Sequence, residues 1–306
     1  MAEISLRIGT RGSPLALAQA HEARRMLAAA HGCEESRFEI VVIRTSGDMI
    51  QDRPLSEAGG KGLFTKEIDA AMLGGEIDVA VHSSKDLPTF LPEGVTIAGY
   101  LPREDVRDAF VSARAGSLVA LPQGATLGTA SLRRLAQVKR RRPDIRAALL
   151  RGNVETRLRK AEAGEVDATL LAYAGLRRLG LAHRATALLD IDDFLPAVGQ
   201  GAIGLTARAT DAATQSALRP IVDAQTGAAL AAERAFLAVL DGSCRTPIAG
   251  HARVASGRIA FRGEVLRPDG SEVFEVKNDG AVAEAQRLGA EAGRDLLGRL
   301  PAGVLA

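Results

Sequence analysis

Two pairs of segments in this chain echo each other in the same order, and that repetition limits its fold more than any other feature. IGTRGSPLALAQ (8–19) is echoed by LGTASLRRLAQ (127–137), one residue shorter. GGEIDVAVHSSKDL (74–87) is echoed without a gap by AGEVDATLLAYAGL (163–176). A pattern that recurs in order implies two copies of one supersecondary design. In the first copy, ISLRIGT (4–10) alternates as a strand does. Ser13-Pro14 then supplies a helix cap and a first-turn proline, and the run PLALAQAHEARRMLAAAH is helical until Gly32 stops it. FEIVVIRT (38–45) predicts a second strand, FTKEIDAAMLGG (64–75) a helix and IDVAVHS (77–83) a third strand. Strands alternating with helices call for a parallel α/β sheet, so two α/β lobes are expected.

The copies differ in length. Between matching points the first is about 30 residues longer, and the excess contains TSGDMIQDRPLSEAGGKG (45–62). This polar stretch has neither helical nor strand periodicity, which marks it as a mobile lid over a site. The C-terminal part changes character. A helix over 226–242 precedes three strand-like runs, PIAGHARVAS, RIAFRGEVLRPDG and SEVFEVKNDG, and a last helix spans about 281–300. RPDG is a turn signal, so a small α+β domain with an antiparallel sheet is expected.

Composition excludes several classes. The 306 residues allow two or three domains, and no run approaches the ~18 apolar residues of a membrane span. The N-terminus lacks the apolar core of a signal peptide, and two distant cysteines make no disulfide framework, so a cytoplasmic protein is expected. A net charge of +2 and the absence of Trp argue against nucleic acid and anionic membrane as partners. The five His show no metal-ligand spacing, so no metal is expected. GQGAIG (199–204) fits a dinucleotide fingerprint only in letters. FLPAV is not a clear strand and AIGLTAR continues as one rather than as a helix, so a close-packed crossing between lobes is the better reading.

The basic residues comprise six Lys and 33 Arg, a ratio that a GC-rich genome explains, so only placement is informative. Polar groups gather where strands end: Arg11 and Ser13, Lys85 and Asp86, Ser131 with Arg133 and Arg134, and Arg151. Ligands of two-lobed α/β proteins bind at such carboxyl ends. Arg133 and Arg134 fall in a first helical turn, where cations oppose the helix dipole and invite a compensating anion. Arg151 and Arg157, in RGNVETR, open the next helix in the same way. Repeated guanidiniums suit a ligand with several carboxylates or phosphates. A surface salt bridge is the plain alternative for Lys85 and Asp86. Cys33 reads as a bland residue, whereas Cys244, in DGSCRTPIAG, sits among loop-like neighbours beside Arg245, which favours its thiolate.

Taken together, RIGTRGSPLALAQA, GGKGLFTKEID, DVAVHSSKDLP, REDVRDAFVS, GTASLRRLAQ, LRGNVETRL, AGLRRLGL, LPAVGQGAIG and DGSCRTPIAG closely resemble the hydroxymethylbilane synthase (porphobilinogen deaminase) family. The likeness spans nearly the whole chain and weakens after about residue 250. It implies two lobes like those of periplasmic binding proteins plus a small C-terminal α+β domain. The expected bounds are 1–101 with 202–219 for the first lobe, 102–201 for the second and 220–306 for the third. It implies a transferase that joins four porphobilinogen units on a dipyrromethane cofactor and releases hydroxymethylbilane with water, as a monomer. By the same likeness Cys244 carries the cofactor through a thioether, and Asp86 is the catalytic carboxylate. Cofactor contacts fall to Ser83, Lys85, Thr129, Ser131, Arg133, Arg134, Arg151 and Arg157. Substrate contacts fall to Arg11, Ser13, Phe64, Arg151, Arg157, Arg178 and Gln200. The chain departs from some members at Ser46, Ala130, Ser243 and Arg245. A non-enzymatic two-lobed anion-binding protein is the rival reading; it accounts for the lobes and arginines but leaves Cys244 idle.

Overall fold

The computed structural model describes residues 4–49, 62–240, 246–301 and 303–305. The chain opens with β1 (Leu6–Arg11), α1 (Pro14–His31), β2 (Phe38–Ile43), a single turn α2 (Ser46–Met49), α3 (Lys66–Leu73), β3 (Val79–Ser83) and β4 (Val95–Tyr100). It continues through β5 (Asp108–Val111), β6 (Thr126–Gly128), α4 (Leu132–Arg141), β7 (Arg146–Ala148), α5 (Val154–Glu162), β8 (Ala168–Ala172), α6 (Tyr173–Arg178) and β9 (Ala187–Leu188). The last part holds β10 (Ile203–Arg208), α7 (Ala212–Leu218), α8 (Ala224–Val239), β11 (Ile248–Ala255), β12 (Arg258–Leu266), β13 (Val273–Ala281) and α9 (Ala285–Arg299).

Two five-stranded sheets share one plan, ordered β2-β1-β3-β10-β4 and β7-β6-β8-β5-β9, and a third sheet, β11-β12-β13, is antiparallel throughout. In each of the first two sheets three strands run parallel, while the fourth, β10 or β5, is antiparallel to its neighbours. The chain forms two compact units. One holds residues 4–49, 62–104 and 202–227 of the described chain, and the other holds 105–201 with the C-terminal sheet and helices. GQGAIG spans the passage from one unit to the other, between Gly201 and Ala202; turns precede it and β10 follows, which is not a dinucleotide context.

The echoed letters mark equivalent joints. Gly75 (φ 76°) and Gly164 (φ 75°) take the left-handed conformation just past α3 and α5, closing both helices. Asp78 and Asp167, each one residue before its strand, do the same work in the two sheets. The Asp78 carboxylate accepts from Arg7 N at 2.9 Å, and the Asp167 carboxylate accepts from Thr126 N at 2.7 Å. Each acid therefore ties the start of one strand to the start of its neighbour. Ser13 caps α1 through a bond from Ala16 N, and Ser131 caps α4 through a bond from Arg134 N, both at 3.3 Å.

Helix α1 buries Ala16, Ala20, Ala23 and Leu27, a spacing of four, three and four that forms one stripe. Its small residues pack against Ile8, Val79, Val81, Ile203 and Leu205 of the first sheet. The second sheet is filled by Phe110, Leu127, Val138, Ile145, Leu170 and Phe194. In the C-terminal portion Phe236 meets Phe261 at 5.0 Å between ring centroids. The one-turn helix α2 lies where no periodicity was expected. Ser46 donates from its backbone N, and also from its hydroxyl, to the Glu67 carboxylate, a contact invisible to local pattern. The remainder of the expected lid, 50–61, lies outside the described residues.

Two expected outcomes follow from the packing. A Cβ on Gly289 of α9 would stand 2.0 Å from the Ala232 carbonyl oxygen of α8, whereas one on Gly298 meets nothing. Gly289→Ala should therefore cost about 1–3 kcal/mol by overpacking. Gly298→Ala should stabilise by up to about 1 kcal/mol through helix propensity, and denaturant titration of both variants checks the pair. The second concerns His82 of β3, which is buried and bonded to Thr206 Oγ1 at 3.1 Å. Burial, and then the nearby Arg11 charge, lowers its pKa to about 4. As pH falls the unfolded chain takes up this proton first, so the contribution is intact above about pH 6.5 and is lost towards pH 4. The loss should be about 3 kcal/mol, and His82→Gln should flatten the stability slope across that window in urea titrations.

Candidate functional site

In the first unit β1 and β3 are parallel neighbours, so the residues that follow them are held at one edge of the sheet. Arg11 ends β1, Ser13 caps α1, Ser83 ends β3, and Ser84–Asp86 form a 3₁₀ turn. The Gln19 side-chain amide and Ser83 Oγ lie 3.0–3.1 Å apart and fix one another. The Arg11 guanidinium lies 3.6 Å from Asp86 Oδ2 and 4.1 Å above the Phe64 ring. Aromatic contact and ion pair together orient Arg11. These side chains, with Ser13, Thr65 and His82, line a small pocket of about 60 Å³. The Asp86 side chain is 32% exposed, and no hydrogen-bond donor among the described residues occupies its carboxylate. Lys85 beside it is exposed. The arrangement is an acid steadied on one side by a cation and open to a ligand on the other.

In the second unit the parallel neighbours β7, β6 and β8 collect Thr129, Ser131, Arg151 and the start of α6 at one edge. Thr129 Oγ1 accepts from Ser131 N at 3.1 Å, and Asn153 caps α5 through a bond from Thr156 N at 2.9 Å. Neither α1 nor α4 has an acid in its first turn, so two helix N-termini with serine caps are left to favour anions. Arg157 Nε donates to the Gly152 carbonyl at 2.9 Å, and Arg178 Nη1 to the Gly201 carbonyl at 3.1 Å.

Arg133 and Arg134 require a correction. The anion that compensates them is not left to a ligand alone. It is Asp108, the first residue of β5, fully buried at the carboxyl end of β8 because β5 runs antiparallel. Asp108 Oδ2 accepts from Arg133 Nη2 at 2.8 Å, and Oδ1 accepts from Arg134 Nη2 at 2.7 Å. Gln200 Nε2 adds a bond to Oδ1 at 3.0 Å. Burial alone would raise the Asp108 pKa, but the Arg133 and Arg134 charges overcome it and hold the carboxyl well below its ordinary range. Both arginine side chains share this one carboxylate and are only 6–7% exposed. Among the described residues Arg134 Nη1 has no partner and Arg133 Nε is buried without one. Within the second unit, these donors and the serine-capped end of α4 fit a carboxylate-bearing group.

The sequence alone missed Asp108, Gln137 and Glu264. Gln137 Oε1 accepts from Arg133 Nη1 at 2.9 Å, while Gln137 Nε2 donates to the Leu195 carbonyl at 2.9 Å and to the Glu264 carboxylate. The available signal was an acid at the head of the short apolar strand DAFV for Asp108, and an acid within the apolar end GEVL of β12 for Glu264. Burial raises the Glu264 pKa against the opposing pull of the Gln137 bond. Cys244, with Ser243 and Arg245, lies outside the described residues, and Cys33 packs partly buried against the core of the first unit. Among the described residues no group of three or more His, Cys, Asp or Glu is arranged to hold a metal.

Comparison with known proteins covers nearly the whole chain. Residues 6–216 match the family described as porphobilinogen deaminase, dipyromethane cofactor binding domain, and residues 228–298 match porphobilinogen deaminase, C-terminal domain. The porphobilinogen deaminase of Nitrobacter winogradskyi is 60% identical over 294 residues, covering 96% of this chain and 93% of its own. That of Paracoccus denitrificans is 57% identical over 297 residues, covering 97% and 95%. Among solved structures, a YaeC-family lipoprotein of Enterococcus faecalis aligns over 73% of this chain and 93% of its own at a TM-score of 0.42 and 12% identity, a likeness too loose to bear on function. The chain belongs to the porphobilinogen deaminase family.

Proposed function

We propose that this chain joins four porphobilinogen molecules in turn, with loss of ammonia at each addition, and releases hydroxymethylbilane by hydrolysis. Family membership supports the activity, and the observation that carries the chemistry is the partly exposed Asp86 carboxylate, 3.6 Å from Arg11 in a polar pocket. The dipyrromethane held through Cys244 supplies the nucleophilic ring carbon on which the product grows. Thr129, Ser131, Arg133, Arg134, Arg151 and Arg157, with Ser83 and Lys85, would hold its acidic side chains. Arg11, Ser13, Phe64, Arg178 and Gln200, again with Arg151 and Arg157, would receive the acids and ring of incoming porphobilinogen. The three-domain division, the monomer and the cytoplasmic location belong to this reading. That no helix among the described residues is long and apolar enough to cross a membrane is in keeping with it.

Asp86 acts on charge. When the aminomethyl C–N bond of porphobilinogen breaks and ammonia departs, the electron pair goes with nitrogen and a cation spreads over ring and methylene carbon. A fixed carboxylate stabilises that developing cation more than the neutral ring, which is differential transition-state binding. A unit charge about 4 Å away at an effective dielectric of about 20 contributes roughly 4 kcal/mol, or about three decades in rate. Arg11 offsets part of this field while it fixes the position of the acid.

Two outcomes test the reading. Asp86→Asn keeps the shape and removes the charge, so turnover should fall by about two to three decades while the covalent adduct remains visible by mass. Asp86→Glu should keep partial activity. An Asn variant, adduct present, within about tenfold of wild type would end the electrostatic account. Separately, the intact mass should exceed the sequence mass by two deaminated porphobilinogen units. Cys244→Ala should lose both the excess and the activity, and Cys33→Ala should lose neither. An adduct found on Cys33 would sink the assignment.

A further inference from the structure

We propose that Glu264, on β12 of the C-terminal sheet, is a positioning residue for Arg133, acting through the side-chain amide of Gln137. The three groups form a chain of bonds with only one consistent arrangement. Arg133 can only donate, so the Gln137 oxygen must face it, and it does at 2.9 Å. The amide nitrogen then has two protons to place. One goes to the Leu195 carbonyl at 2.9 Å and the other to the Glu264 carboxylate. The same Leu195 carbonyl also accepts from Arg133 Nη1 at 2.9 Å, so both of its lone pairs are used. Arg133, Gln137 and Glu264 are each at least 95% buried.

Without Glu264 the second amide proton of Gln137 is a buried donor with no acceptor. Leaving such a donor unmade is costly, and a turned or displaced amide relieves the cost. A turned amide presents N–H to the Arg133 N–H, and the guanidinium loses one of its two acceptors at Nη1. The Leu195 carbonyl at Nη1 and Asp108 at Nη2 would then be the anchors left to it, with the amide's share of the restraint gone. Arg134 is bonded to Asp108 but not to Gln137, so it stands outside the relay and serves as an internal reference. The consequence for catalysis rests on the proposed assignment of Arg133 to the acidic cofactor; the relay itself does not.

The test follows guanidinium proton exchange by NMR in full-length holoenzyme labelled with ¹⁵N-arginine, with Arg133→Lys and Arg134→Lys used to assign the two signals. In Glu264→Leu, exchange at Arg133 should quicken by about tenfold or more while Arg134 stays within about twofold of wild type. Glu264→Gln retains an acceptor for the amide and should stay within about twofold at both. Gln137→Leu removes the relay at its centre and should reproduce the leucine signature if the Glu264 variant folds poorly. Unmoved exchange at Arg133, equal quickening at Arg133 and Arg134, or equal effects of Glu264→Leu and Glu264→Gln would each overturn the relay. The fraction of purified chains carrying the adduct, read by intact mass, should fall about fivefold in Glu264→Leu. Quickened Arg133 exchange with full adduct occupancy would instead overturn the assignment of Arg133 to the cofactor.

Discussion

Two guanidiniums on successive residues of a helix's first turn face the positive end of that helix, and Arg133 and Arg134 do so almost fully buried. Each is a charge removed from water, and the helix dipole adds to the cost. Asp108 meets that cost from a strand more than twenty residues earlier in the chain. Removing one partner from such a buried cluster typically costs about 3–5 kcal/mol, because the charges left behind stay unpaired. The second unit is therefore arranged around a polar knot. Strand β5 must bring Asp108 to the carboxyl end of β8, α4 must present both arginines, and Gln200 must reach back to the same carboxylate.

Topology makes this arrangement available. Three parallel strands deliver their following loops to one edge of a sheet. A fourth strand inserted antiparallel brings its first residue to that edge, so acids from strand starts meet cations from helix starts. In the first unit β10 enters in the same sense, with Ile203 opposite Ser83. In the second, Asp108 lies opposite Ala172. The antiparallel strand is what allows a carboxylate to sit beneath a cluster of arginines without a long loop to carry it.

Much of this was legible in the letters, and the reason is local. Ser13-Pro14, Gly32 and the GE-I/V-D segments each encode a cap, a helix stop or a strand anchor within a few residues. Both lobes and the helix over 14–31 could therefore be read directly. The placement of Arg11, Ser83, Thr129 and Ser131 at or just after strand ends was legible too, because the strand runs and helix caps that flank them are local. The polar knot was not. Gln137 and Glu264 are 127 residues apart, and no periodicity announces a pairing of that range. The arginines of α4 suggested a missing anion, which was correct, but a sequence cannot say whether that anion belongs to the ligand or to the protein. Ser46 and Glu67, 21 residues apart, fold α2 for the same nonlocal reason.

The two copies have also diverged in a way that bears on the proposed chemistry. Along the ungapped echo, His82-Ser83-Ser84-Lys85-Asp86 of the first unit stands where Leu171-Ala172-Tyr173-Ala174-Gly175 stands in the second. Asp78 and Asp167, which hold the strands, were retained in both. The anchoring acid is thus common property of the design, whereas the acid after the strand belongs to one copy. The second copy carries two arginines in the first turn of α4, at a place where α1 has none. A carboxylate that stabilises a developing cation works best where few guanidiniums cancel its field, and carboxylate-bearing ligands are held best where guanidiniums accumulate.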